Sequence, residues 1–193
     1  MTGFAALAER VRRRRRRISA WWRRATVTGL GLRVVSWTTG CAGAVLAAPD
    51  TMRWVMLVVA VLFASAAVAL PGTFWNAVLP VVSVAMLLAA GVVDGEVSIL
   101  RAGAVGALLY LHHTTGAQAS MWPSNARVEP VARRAWMVRT AVAVVSGLLV
   151  SAVLAVLVER PVWLPAPVQV VVGLVLVVAA VAGPVVLLRR RAD

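Results

Sequence analysis

Apolar residues run along this chain in six long stretches, separated by short breaks rich in proline, glycine and acidic residues. The stretches cover Leu30 to Ala48, Trp54 to Leu70, Phe74 to Val93, Ile99 to Gln118, Met137 to Val158 and Pro167 to Leu188. Each is near the ~20 residues that an α-helix needs to cross a hydrocarbon core of about 30 Å. Pro49-Asp50, Pro71-Gly72, Asp94-Gly95-Glu96 and Pro161 to Pro165 supply turn chemistry between them. The pattern predicts an all-α, polytopic integral membrane helix bundle of six transmembrane helices over residues 29–188. The stretch 54–70 is the shortest, so a tilted or partly interfacial hairpin there gives four- and five-span alternatives. Residues 119–136 read as the longest loop, and residues 189–193 as a short basic tail.

Residues 1–28 precede the first stretch and have a different pattern. Phe4, Leu7, Ala8 and Val11, then Ile18, Trp21, Trp22 and Ala25, fall at helical spacing, with arginines over much of the remaining circumference. The expectation is a cytoplasmic, polybasic amphipathic helix. Arg12, Arg13, Arg14, Arg15, Arg16, Arg17, Arg23 and Arg24 would meet anionic lipid headgroups, and Trp21 and Trp22 would sit at the interface. A secretory signal peptide is the competing reading. The long basic region, Pro49 at the expected cleavage point and the second apolar stretch close behind favour a retained helix.

Composition sharpens this picture. Hydrophobic residues make up 61% of the chain, against roughly 45–50% in soluble domains. All 20 basic residues are Arg, and the net charge is +13. With many Ala and Val, this codon bias predicts a high-GC bacterial source and hence a bacterial plasma membrane. In the six-span arrangement with both termini in the cytoplasm, only Arg53, Arg101 and Arg160 lie outside, as the positive-inside rule requires. Arg33, Arg101 and Arg139 lie within a turn of a span end and are expected to snorkel to the interface. In such a protein the Arg cluster points to anionic lipid and away from nucleic acid. Cys41 is the one cysteine, so no internal disulfide and no zinc spacing exists.

Chemistry is sparse. Tyr110, His112, His113, Thr114 and Gln118 form the one intramembrane polar concentration, and such groups are functional candidates by default. Adjacent helical residues diverge by about 100°, so the two histidines make a poor metal pair. No span holds an Asp or Glu deep in the bilayer to orient an imidazole, and no phosphate-binding glycine loop is present. The expectation is therefore no catalytic, cofactor or metal site. The histidines, Thr114, Thr115 and Gln118 should instead hydrogen-bond across the bundle. Gly40, Gly43, Ala44 and Ala47, then Ala102, Gly103, Gly106 and Ala107, then Gly147 with Ser151, form small-residue faces suited to close helix packing. Arg127, Arg133 and Arg134 make the 119–136 loop a candidate partner-docking surface.

The stretch Tyr110 to Trp136 resembles small membrane proteins of high-GC Gram-positive bacteria, which implies membrane residence and no particular chemistry. The functional expectation is a non-enzymatic assembly or anchoring subunit of a membrane complex, contacting anionic lipids and other protein subunits, with homo-oligomers as one arrangement. A small permease or channel is the alternative, and a lipid-acting enzyme the third.

Overall fold

The computed structural model describes residues 26–70, 73–95, 97–122 and 129–159, and every regular element among them is helical. In chain order these are α1 (Val27–Ala47), a 3₁₀ turn (Asp50–Met52), α2 (Arg53–Ala69), α3 (Trp75–Val93), α4 (Ile99–Met121) and α5 (Pro130–Glu159). The expected sixth span, the polybasic segment through Ala25 and the basic tail lie outside the described residues.

Local chemistry sets the helix limits. The Thr26 side chain accepts from Gly29 N–H at 3.2 Å, and the Ser98 side chain accepts from Arg101 N–H at 3.2 Å. Each hydroxyl thus satisfies a donor that the first helical turn leaves orphaned. Gly95, just beyond the α3 terminus, has φ +85°, a left-handed conformation that costs glycine little. The 119–136 loop is shorter than the sequence pattern predicts. Helix α4 runs on through Met121, and α5 begins at Pro130, a residue whose missing N–H costs nothing in a first helical turn. Trp122 and Trp136 meet edge to face across the break, with ring centroids 6.2 Å apart.

Among the described residues, four helical segments are long and apolar enough to cross a membrane: α1, α2 with its 3₁₀ turn, α3 and α5. Their exposed apolar residues recur at helical spacing, as in Val81, Leu88 and Val92 of α3. That is how a helix meets an apolar solvent. Helix α4 is not in this set, although it coincides with the expected fourth span. It packs against α1, α3 and α5, most extensively against α1. Surrounded in this way, it tolerates the polar residues that lower its hydropathy.

The interior is built from small residues. Cys41, Ala44, Ala48, Met56, Ala60 and Ala64 interlock α1 with α2, and Leu79 joins them from α3. A Cβ added at Gly43 would meet the Leu109 and Leu108 side chains at 3.1 and 3.2 Å, so α1 and α4 touch nearly backbone to side chain. At Gly103 a Cβ would overlap the Ser151 side chain, which fixes the α4–α5 seam. Gly106 and Gly147 depart from expectation: both are exposed, and no described residue lies within 4 Å of where a Cβ would stand.

Arg33 and Arg101 close helix ends. Arg33 Nη1 donates to the Val68 carbonyl at 2.5 Å, near the end of α2. Arg101 donates through Nε to Leu46 C=O at 2.8 Å and through Nη2 to Ala48 C=O at 2.5 Å, and its Nη1 lies 3.7 Å from Asp94. These carbonyls belong to helix ends, where intrahelical donors run out and negative dipole charge collects. Replacing Arg101 by Gln should therefore cost about 1–3 kcal/mol, from lost charge-assisted bonds and orphaned carbonyls. Arg53, whose exposed pair with Asp50 spans 2.7 Å, should matter by less than about 1 kcal/mol on the same substitution. Unfolding titrations of both variants in mixed micelles would show the order, and equal losses would refute the capping role of Arg101.

Candidate functional site

The polar stretch of α4 does not act as one group. At 100° per residue its members leave the helix in different directions. His112 is fully buried at 0% exposure and Thr115 is buried, whereas His113 and Tyr110 are exposed, and Thr114 and Gln118 are half-buried.

His112 enters a pocket made by α1. Its Nδ1 lies 2.8 Å from the Ser36 carbonyl, which only accepts, so Nδ1 carries the hydrogen. The Ser36 hydroxyl, 3.2 Å from Nδ1, donates to the His112 carbonyl at 3.1 Å. Gly40 makes this approach possible. It sits one turn beyond Ser36, and a Cβ there would stand 2.6 Å from Nδ1 and 3.0 Å from the Leu79 side chain. The missing side chain uncovers a helix carbonyl to the imidazole.

On the far side of α4, the Asn76 amide of α3 donates to the His113 carbonyl at 3.2 Å. Gly116 permits it, since a Cβ there would fall on the Asn76 side chain. Two buried atoms have no hydrogen-bond partner among the described residues: His112 Nε2, a lone-pair acceptor once Nδ1 holds the hydrogen, and Asn76 Oδ1.

The threonines behave differently from expectation. Thr114 donates to Tyr110 C=O at 2.8 Å and Thr115 to Leu111 C=O at 2.5 Å, each one turn back on α4. Ser83, Thr38, Thr39 and Ser151 do the same on their own helices. A hydroxyl in an apolar helix finds its nearest acceptor there, so it need not cross to a neighbour. Of the expected cross-bundle bonds from this stretch, the one from His112 forms.

A cavity of about 570 Å³ lies between α1, α4 and α5, with Leu32 and Val35, then Leu111, then Met137 and Val144 in its walls. Trp122, Arg133 and Trp136 also border it. The loop arginines are thereby separated: Arg133 lines this cavity, Arg134 is exposed and does not line it, and Arg127 lies outside the described residues. No group of three or more His, Cys, Asp or Glu that could hold a metal occurs among the described residues.

Ser36 and Asn76 are neighbours of the polar stretch that the sequence pattern does not single out. Gly40 is legible as a packing glycine but not as the residue that admits an imidazole. Asn76 carries a signal, an amide two residues into an apolar stretch. Ser36 has none, because serines are common in such helices.

Four membrane-length apolar helices among the described residues, apolar outer faces and an interior of small residues define the class: a multi-pass helical membrane protein. Compared with known protein families, curated proteins and solved structures, the chain matches none.

Proposed function

We infer that this protein is a non-enzymatic assembly or anchoring subunit of a membrane complex. One observation carries the reading: the polar centre is closed. His112 is sealed between α1 and α4 by Ser36, Gly40 and Leu79, and its hydrogen is committed to a helix carbonyl. A conduit or a catalytic imidazole needs access to solvent or substrate, and this one is used as an internal fastener. The outer surfaces of α2, α3 and α5 offer apolar faces for lipid or neighbouring helices. In this reading the bundle sits in a bacterial plasma membrane with six spans and both ends in the cytoplasm. The basic N-terminal segment contacts anionic lipid, and Arg127 and Arg134 face a protein partner.

The test is purification of the full chain from its native membrane in mild detergent, with bound proteins identified by mass spectrometry. A defined partner should co-purify and be lost in the Arg127→Gln/Arg134→Gln variant, while membrane insertion persists. Labelling of single cysteines placed at Asn125 and Asp94 in a Cys41→Ser background should show opposite sides, Asn125 inside. A protein that always purifies alone would end the assembly reading.

Two buried atoms favour a second reading, a small permease. His112 Nε2 and Asn76 Oδ1 are the kind of unpaired polar groups that line a solute path. Selective solute flux in vesicles containing only this protein, abolished by His112→Gln, would put that reading first.

A further inference from the structure

We propose that the cavity between α1, α4 and α5 binds one anionic phospholipid, with an acyl chain between the helices and the phosphate at Arg133. The proposal rests on membrane residence and is independent of the assembly role.

The walls are apolar and the border is not. Leu32, Val35, Leu111 and Val144 give an acyl chain what a membrane interior gives it. Arg133, Trp122 and Trp136 all stand where α4 ends and α5 begins. That is the arrangement of an interfacial zone, with aromatic rings at headgroup level and a guanidinium for phosphate. Arg133 is exposed, so its guanidinium can turn toward a ligand at the cavity border. Arg134 adds a second positive charge next to it, and the two outweigh Glu129, one turn earlier on the chain.

Dimensions agree with a single lipid leaflet. From Arg133 to Val145, both lining residues, the rise along α5 is about 18 Å. Half of a hydrocarbon core is about 15 Å. The cavity therefore extends from a basic, aromatic end to the depth that one acyl chain reaches. Gly31 widens it, because no described residue lies within 4 Å of the place where its Cβ would be.

The experiment uses the full chain purified in mild detergent. Phospholipid that stays bound is extracted and quantified, and binding of added phosphatidylglycerol is titrated against phosphatidylcholine by native mass spectrometry. The protein should retain anionic lipid at close to one per chain and prefer phosphatidylglycerol. Arg133→Gln should weaken that preference by at least about fivefold, the effect of one basic residue at a lipid surface. Gly31→Leu, which fills the cavity with no clash at its Cβ, should lower the bound lipid while the helical circular dichroism and elution volume are unchanged. Arg139→Gln, six residues on and so turned away from the cavity, should retain the lipid. A photo-crosslinker at Val144 should add the mass of a phospholipid. Crosslinks to residues 160–193 of the same chain, or to a second copy, would overturn the proposal by naming a protein occupant. Equal retention of lipid in Arg133→Gln and Gly31→Leu would overturn it as well.

Discussion

Replacing His112 with alanine should destabilise the bundle by about 2–4 kcal/mol, the range for emptying a large buried site together with a hydrogen bond inside a membrane protein. The side chain is wholly buried and joins α1 to α4 through Ser36. Its loss leaves a hole in the interface between α1 and α4, the most extensive helix–helix interface among the described residues. His113→Ala provides the comparison. That side chain is exposed, and Asn76 bonds to the His113 backbone carbonyl, which alanine keeps, so the substitution should fall within about 0.5 kcal/mol of the native protein. His112→Gln retains a donor and should remain folded with a smaller loss. Unfolding titrations in mixed micelles would rank the three. Similar losses at both histidines would show that the imidazole of His112 is no fastener.

The second large effect is expected at Gly40, and its sign separates packing from helix propensity. Alanine is favoured over glycine inside a helix by roughly 1 kcal/mol. At Gly106, where a Cβ would meet no described residue, Gly106→Ala should therefore leave stability equal or raised by up to about 1 kcal/mol. At Gly40 the same Cβ would stand 2.6 Å from His112 Nδ1, against a side chain with no room to retreat. Overpacking of this kind costs about 1–3 kcal/mol, enough to cancel or exceed the propensity gain. Gly40→Leu should be worse, and should separate α1 from α4 while sparing the α2–α3 contact. Disulfide trapping between cysteines placed on α1 and α4 would report that separation. If Gly40→Ala proves as benign as Gly106→Ala, the close approach of ring and helix is wrong.

The closed polar centre and the open apolar cavity lie on the same two helices, one turn or so apart. Thr115 is buried beside His112 on α4 and also lines the cavity. His112 thus fixes the spacing of α1 and α4, and the cavity forms where α5 completes that pair. A substitution that loosens the His112 contact should also lower lipid occupancy, whereas Arg133→Gln should leave stability nearly unchanged.

How much of this was legible along the chain depends on the range of the interaction. Helices α1 to α4 begin and end within about three residues of the apolar stretches that predict them, because spans are defined by solvent and by turn residues such as Pro49 and Gly95. The α5 start at Pro130 was hidden by charge: Arg133 and Arg134 read as loop, yet arginine is a good helix former once apolar neighbours fix one face. Arg101 likewise read as a snorkelling residue, since nothing near it in sequence shows that Leu46 and Ala48 supply open carbonyls.

What the sequence by itself determined is the solvent: stretches this apolar and this long have one stable environment, and they must be helical there to satisfy their own backbones. It also located the polar stretch of α4 and the close-packing glycines Gly40, Gly43 and Gly103. Only the tertiary structure decided which polar residue is inside. His112 and His113 are chemically identical neighbours, and the 100° between them became the difference between core and surface when Gly40 opened Ser36 to one of them. The pairing of Asn76 with α4 and the placing of Arg133 beside an apolar cavity were decided in the same way, by contacts between residues tens of positions apart, whose energies depend on separation in space and leave no period or motif along the chain.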